Sequence, residues 1–133
     1  MTAINFSNAL GVHEQALHLR TVRSTVLAGN LANAETPGYK ARDFDFHQAL
    51  AAAKSGREGI NVKRTHARHI ALTPSPLPVA LSYRLPLQPS LDGNTVDSQR
   101  ESAAFARNAL EFSASFRLLN GRFSGLSKAI SGD

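Results

Sequence analysis

Apolar residues in the first third of the chain recur at helical spacing. The apolar positions are Leu10, Val12, Ala16, Leu17, Leu19, Val22, Val26, Leu27 and Leu31. Together they form a broad stripe, which is typical of a helix that buries one face. Ser7 or Asn8 can cap its start, whereas Pro37 cannot continue it. The pattern predicts an N-terminal helix over residues 7–34.

The last third of the chain carries a more regular pattern. Its apolar residues are separated alternately by four and three positions: Phe105, Ala109, Phe112, Phe116, Leu119, Phe123, Leu126 and Ile130. This alternation is the a/d repeat of a coiled coil, and Asn94 or Thr95 can cap the segment. The pattern predicts a C-terminal helix over residues 95–131, with these residues as its seam.

A second row of small and apolar residues lies on the same predicted helix. It consists of Ala103, Ala106, Leu110, Ala114 and Leu118. We expect one seam to pack on the N-terminal helix and a remaining face to meet a neighbouring subunit. The two long helices are therefore predicted to pair as a coiled coil.

The region between the long helices has little regular pattern. A short helix is predicted over Phe46–Lys54, in "FHQALAAAK". Five of the six prolines follow, at positions 74, 76, 78, 86 and 89, and this density disfavours a central strand. Two β-like runs, at residues 60–63 and 79–85, could form one hairpin. The predicted fold is mainly α, in a single domain over residues 1–133, with a signature loop and a proline-rich irregular or short β segment over residues 35–94.

Composition changes this picture in one respect, because the core available to the chain is thin. Hydrophobic residues make up 42% of the 133 residues, but many are alanine, and the aromatic residues are seven phenylalanines and two tyrosines. A small core limits the stability of an isolated domain. We therefore expect further burial against other subunits.

The chain is basic, with a formal net charge of +5. The excess lies mainly in residues 35–69, around Lys63, Arg64 and Arg68. A basic patch can bind nucleic acid, but a solvated loop explains a charge of this size equally well. Nucleic-acid binding is kept as the less favoured alternative.

Candidate metal and redox chemistry is weak. There is no cysteine, which excludes disulfides and thiolate metal sites. His66 and His69 are close in sequence, but their neighbours are cationic and no carboxylate accompanies them, so a divalent metal is not expected. We predict neither a metal nor a cofactor.

Asp43 and Asp45 are the best candidates for catalysis. On a strand they would share one face about 7 Å apart, a separation that some glycosidases use. Phe44 and Phe46 occupy the opposite face, however, so an amphipathic strand with solvated acids and buried phenylalanines explains the same residues. The chain also lacks a P-loop and a nucleophile elbow. The sequence predicts no enzyme and no small-molecule substrate.

The N-terminus does not have the basic stretch and apolar core of a Sec-type signal peptide, so none is expected. No apolar run approaches the roughly 20 residues needed to span a bilayer, so the chain is not expected to span a membrane.

The segment "NLANAETPGYKARDFDF", residues 30–46, resembles the N-terminal signature of the bacterial flagellar axial proteins, the rod and hook family. The residues that match the signature are Asn30, Ala32, Asn33, Thr36, Pro37, Gly38, Tyr39 and Lys40. The continuation with Phe44 and Phe46 looks more like the proximal rod type than the hook or distal rod types. Residues 83–101 are similar to the linker into that type's C-terminal helix, with Asn94, Val96, Asp97 and Glu101 at matching positions.

The resemblance implies a structural protein whose paired terminal helices polymerise into a hollow tube, the rod, which crosses the periplasm and transmits torque. It implies contacts with copies of itself, other rod subunits, the adaptor to the inner-membrane ring and the flagellar export apparatus. Export by the flagellar type III route would explain the missing signal peptide. The alternative within this reading is another axial protein of the same family.

For the signature residues, the resemblance and the residue types suggest roles in assembly. We expect the Asn30 and Asn33 side chains to bind a neighbour's backbone or the free carbonyls at the helix end. Pro37 and Gly38 would turn the chain out of the helical layer. Tyr39, Phe44 and Phe46 would then give the emerging segment an apolar grip on an adjacent subunit.

Overall fold

The computed structural model describes residues 10, 12–54 and 79–132. Within these ranges, three helices and two short strands follow in the order α1 (Val12–Ala32), β1 (Arg42–Asp43), α2 (Phe46–Lys54), β2 (Ser82–Tyr83) and α3 (Ser98–Ser131). The prediction of a mainly helical chain with long N- and C-terminal helices is confirmed. The prolines at 74, 76 and 78, the β-like run at 60–63 and the basic residues Lys63, Arg64 and Arg68 lie outside the described residues, as do His66 and His69.

The two long helices run antiparallel to each other. Asn30, near the end of α1, meets Glu101 in the first turn of α3, whereas Arg20, further back in α1, meets Glu111 further along α3. α3 has 34 residues and α1 has 21. At a rise of about 1.5 Å per residue, the last turns of α3 extend beyond the described start of α1. None of the helices within the described ranges is long and apolar enough to cross a membrane.

The end of α1 is a series of hydrogen-bonded turns. The helix ends at Ala32, two residues before the predicted boundary. Beyond it, Ala34 N–H donates to the Leu31 carbonyl at 3.2 Å and Thr36 N–H donates to the Asn33 carbonyl at 3.1 Å. Pro37 then stops further helical bonding because it has no backbone N–H.

The start of α3 differs from the prediction, because Asp97 is its N-cap. The Asp97 side chain accepts hydrogen bonds from the backbone N–H groups of Gln99 and Arg100, each at 3.1 Å. The prediction that Asn94 or Thr95 caps this helix is wrong. Both side chains are used instead to bind the segment that follows α1.

The two strands form one antiparallel pair in which Arg42 faces Tyr83 and Asp43 faces Ser82. The predicted strand with Asp43 and Asp45 on a solvated face is wrong. The strand ends at Asp43, whose carboxylate is largely buried. Asp45 immediately precedes α2 instead, and its side chain accepts from the backbone N–H of His47 at 2.8 Å. α2 itself has the predicted bounds.

Among the described residues, the core contains few apolar side chains, as expected from the composition. The buried hydrophobic residues are Leu10, Ala16, Leu19, Leu27, Ala41 and Phe44. Asn30, Glu101 and Asn108 are buried as completely as Leu27. Buried polar groups are costly unless hydrogen-bonded, so the partners of these residues determine how the fold is held together.

Candidate assembly site

Asn30, the first signature residue, binds the backbone of its own chain. Its Nδ2 donates to the Arg42 carbonyl oxygen at 2.7 Å and to Glu101 Oε2 at 3.0 Å. Its Oδ1 accepts from the Arg42 N–H at 3.1 Å. A single carboxamide therefore connects the last helical turn of α1 to β1 and to the first turn of α3. The prediction gave Asn30 a neighbour's backbone or the free carbonyls of the helix end as partners; in the single subunit its carboxamide binds Arg42 and Glu101.

Four charged residues extend this connection. The Arg84 guanidinium, just after β2, donates to Glu101 Oε1 at 2.6 Å and also to Asp43 Oδ2. Arg23 of α1 donates to both oxygens of Asp43, at 3.2 and 2.9 Å. We name this group the polar clasp; its members are Arg23, Asn30, Asp43, Arg84 and Glu101. The polar clasp joins both long helices to the short sheet.

The charges of Asp43 and Arg23 in the polar clasp stabilise each other. Burial raises the pKa of the Asp43 carboxyl, but hydrogen bonds from Arg23, Arg84 and the Phe44 N–H outweigh burial and hold that pKa below its ordinary value. The hydrogen bond to Asp43 likewise raises the pKa of Arg23, against the effect of burial. Buried ion pairs add little net stability, yet removing one partner is costly because it leaves a buried charge unpaired.

The carbonyl groups at the end of α1 are bound by Asn94. Its Nδ2 lies 3.1, 2.8 and 3.0 Å from the carbonyl oxygens of Asn33, Ala34 and Thr36. Asn33 itself donates to the Gly29 carbonyl at 2.8 Å, within the last turn of α1. Sequence reasoning placed Asn94 only as a cap or a matching family position. The role was missed because its acceptors lie about 60 residues earlier.

The signature loop after α1 lies against the segment that precedes α3. Gly38 N–H donates to the Asp92 carbonyl at 2.9 Å, and Thr95 N–H donates to the Tyr39 carbonyl at 3.0 Å. Thr95 Oγ1 also accepts from Ala41 N–H at 2.8 Å. Gly38 and Gly93 both have positive φ, at 71° and 75°, a conformation that glycine adopts without strain. These bonds hold the loop in one place.

The apolar signature residues have different environments. Phe44 is buried in the core of its own subunit, so it does not offer the predicted grip on a neighbour. Phe46 is half-buried, with the Arg20 guanidinium 4.3 Å from its ring centroid. Tyr39 is half-buried as well. The remaining signature residues are exposed on the surface: Ala32, Thr36, Pro37, Gly38 and Lys40.

The predicted seam of α3 is only partly covered. Phe105 and Phe112 are 37% exposed, Phe123 is 44% and Phe116 is 57%. Ala109 and Ile130 are exposed, and Leu119 and Leu126 are half-buried. The buried residues of α3 are Glu101, Asn108 and Ser115. Coiled-coil pairing of the two helices through the phenylalanine seam is therefore not confirmed.

A polar row of α3 faces α1 in place of the seam. Asn108 Nδ2 donates to the Arg20 carbonyl at 2.9 Å and to Ser24 Oγ at 2.8 Å. Arg20 also pairs with Glu111 one turn further along α3. No group of three or more His, Cys, Asp or Glu side chains in the described part of the chain could hold a metal ion.

Comparison with known proteins identifies the family. No protein family model matches the chain. The flagellar basal body rod protein FlgB of Aeromonas hydrophila is 47% identical over 132 residues, which cover 98% of each chain. FlgB of Escherichia coli K12 is 48% identical over 126 residues, 89% of each chain. FlgB of Cereibacter sphaeroides is 48% identical over 128 residues, 96% of this chain and 98% of that one.

The chain belongs to the FlgB family of flagellar basal body rod proteins. FlgB membership confirms the resemblance to the flagellar axial proteins and, within them, to the proximal rod type. The chain is a structural subunit of the basal body rod, with a role in motility. The names of these relatives describe a component of a structure and no catalysed reaction, which agrees with the prediction that the chain is not an enzyme.

Proposed function

We propose that this FlgB subunit polymerises through exposed faces of its terminal helices into the proximal part of the rod. The rod would form the hollow drive shaft between the inner-membrane ring and the distal rod and hook. The observation that carries the proposal is the seam of α3, whose four phenylalanines remain 37–57% exposed in the single subunit.

A row of exposed aromatic residues indicates a surface that binds a partner. Each phenylalanine contributes roughly 150–250 Å² of surface when it is buried fully, and contiguous apolar patches on soluble proteins commonly mark interaction sites. Leu110 and Leu118 of the second row are also exposed, at 74% and 58%. Membership in a family of rod proteins makes other rod subunits the partners that best fit this helix.

The polar clasp supports the same function by holding the helices rigidly. A polymer needs each subunit to present its faces in one geometry, and sites on rigid elements meet that need better than sites on loops. Asn30 and Arg84 together link α1, β1 and α3. The subunit would therefore enter the rod with its α3 seam already oriented.

We further propose that the subunit contacts the adaptor between rod and inner-membrane ring and passes through the flagellar type III export apparatus to reach the periplasm. These partners follow from the family resemblance, and the exposed helical faces are compatible with them. The FlgB relatives are named only as basal body rod proteins.

The decisive experiment places a charge in the middle of the seam. Phe116→Asp and Phe123→Asp are each expressed in a strain that lacks this gene, and isolated basal bodies are imaged by electron microscopy. We expect inner-membrane rings without rods and non-spreading cells in soft agar, because a carboxylate cannot be buried unpaired in an apolar interface.

The matched control is Asn120→Asp, which introduces the same side chain at an exposed position of α3 outside the seam. It should leave rods and spreading unchanged. Circular dichroism must show that both seam variants remain helical and soluble. Normal rods from either seam variant would overturn the proposal that this face mediates assembly.

A further inference from the structure

α3 carries two parallel rows that differ in polarity. Glu101, Asn108 and Ser115 form the polar row, at intervals of seven residues, and all three are buried. Phe105, Phe112 and Leu119 follow them, each four residues later. Four residues correspond to a rotation of about 40° around a helix with 3.6 residues per turn. A small rotation of α3 would therefore replace the polar row by the aromatic row at the contact with α1.

The hydrophobic effect favours the rotated arrangement. Apolar surface gains free energy when it leaves water, and the buried residues of α1 include Ala16, Leu19 and Leu27. The structure nevertheless buries Asn108 fully and leaves Phe105 and Phe112 each 37% exposed. Specific polar contacts must oppose the rotation.

Asn108 makes the contacts that do so in the middle of the helix pair. Its Nδ2 donates to the Arg20 carbonyl at 2.9 Å and to Ser24 Oγ at 2.8 Å. Rotation would break both bonds. Its Oδ1 is buried and has no hydrogen-bond partner among the described residues. A buried acceptor without a partner lowers the stability of the fold. Buried polar residues that fix the register of paired helices commonly have such a cost.

We propose that Asn108 is a positioning residue that sets the rotation of α3 on α1 and so prevents the subunit from burying its own aromatic seam. Glu101 supports this setting through Asn30 at one end of the pair. The seam then stays available to a second copy of the chain. The inference rests on the proposed function only for this last step, since the rotation can be measured on an isolated subunit.

The rotation is tested with Asn108→Leu, which keeps the number of side-chain heavy atoms and removes the polar contacts. Because the chain has no cysteine, Phe105→Cys supplies a unique thiol on the seam. In the Asn108→Leu background we expect this thiol to react with a maleimide about tenfold more slowly, as protected groups do. We also expect a higher thermal midpoint, and no rods from Asn108→Leu without the cysteine.

Asn120→Leu, at an exposed position of the same helix, is the matched control and should leave thiol labelling and rods unchanged. If Asn108→Leu does not melt cooperatively, Asn108→Ala is used in its place, and we expect the same slower labelling of the thiol at position 105. An unchanged labelling rate overturns the inference, whether or not rods form. If labelling is slower but Asn108→Leu still forms normal rods, the rotation is confirmed and the proposed role of the seam in assembly is wrong. Failure of this inference and failure of the proposed function therefore give different results.

Discussion

Asn30 and Glu101 are separated by 71 positions in the chain, yet Asn30 Nδ2 donates to Glu101 Oε2 at 3.0 Å with both side chains buried. The bond joins the last helical turn of α1 to the first turn of α3. Asn30 also holds both backbone groups of Arg42. One asparagine of the signature therefore links the two long helices and β1.

Replacing that asparagine should destabilise the subunit strongly. Asn30→Ala leaves the N–H and carbonyl of Arg42 and one oxygen of Glu101 without this partner. We expect the free energy of unfolding to fall by about 3 kcal/mol, because each buried polar group that loses its partner costs about 1–3 kcal/mol. Urea unfolding followed by circular dichroism measures the change.

Asn120→Ala is the control for this substitution, since it makes the same change on an exposed helical surface. It should alter the free energy of unfolding by no more than about 0.5 kcal/mol. A similarly small effect from Asn30→Ala would show that the hydrogen bonds of Asn30 make no net contribution to the free energy of unfolding.

Stability should depend on pH through Asp43. Its pKa is lowered in the folded subunit, so its contribution is complete above the pKa of the unfolded chain, about 3.9, and is lost as pH falls below that value. We expect Asp43→Asn to be less stable than the wild type at pH 7 and to lose less stability between pH 5 and pH 3.

The test is a series of urea unfolding curves across that pH range, compared with those of Asp45→Asn. This control removes the same charge, keeps a capping acceptor at the start of α2, and leaves the arginine pairs of Asp43 intact. The free energy of unfolding of Asp43→Asn should still fall to some extent in acid, because a second carboxylate has a lowered pKa. The pKa of Glu111 is also lowered, because hydrogen bonds from Arg20 and Arg107 outweigh the raising effect of burial. If Asp43→Asn loses as much free energy of unfolding between pH 5 and pH 3 as the wild type does, the role assigned to Asp43 is contradicted.

The donor group of Asn94 should control the order of the signature loop. Asn94→Asp keeps the acceptor that binds the Val96 N–H at 2.7 Å and loses the donor to the end of α1. We expect faster hydrogen exchange at the amides of Gly38 and Thr95, which bond across the loop, because the segment opens more readily. Exchange rates measured by NMR should stay unchanged for amides in the middle of α3. Unchanged rates at Gly38 would rule out this role.

Two glycine substitutions should shift stability in opposite directions. Gly38 has a φ of 71°, so Gly38→Ala should cost about 1–2 kcal/mol of left-handed strain. Gly121 lies inside α3, and a Cβ there would meet nothing within 4 Å. Gly121→Ala should therefore stabilise by up to about 1 kcal/mol. Thermal melts of the two variants check the signs, and a stabilising Gly38→Ala would contradict the loop geometry.

Local pattern was sufficient for the helices. The alanine-rich run of α2 gave the correct bounds, and the stripes of α1 and α3 placed the end of α1 and both ends of α3 to within a few residues. These elements depend on contacts between residues three or four apart, which the sequence displays directly. The family signature was equally readable, because its residues are contiguous.

The candidate site was less predictable, since its partners are distant in sequence. Asn94 looks like a helix cap, but the free carbonyls after α1 bind its amide, and Asp97 takes its place. Asp43 looks solvated because nothing nearby in sequence reveals Arg84. A periodic apolar row on α3 likewise shows that a face is apolar without showing whether α1 or another molecule covers it.

The bonds of Asn30 to Arg42 have one more consequence. β1 pairs with β2 along one side, and on the other side the Asn30 carboxamide occupies the N–H and the carbonyl of Arg42, as a third strand would. An open strand edge is a template for unwanted pairing between molecules. By closing this edge with a side chain, the subunit leaves neither backbone group of Arg42 open to pairing with another molecule.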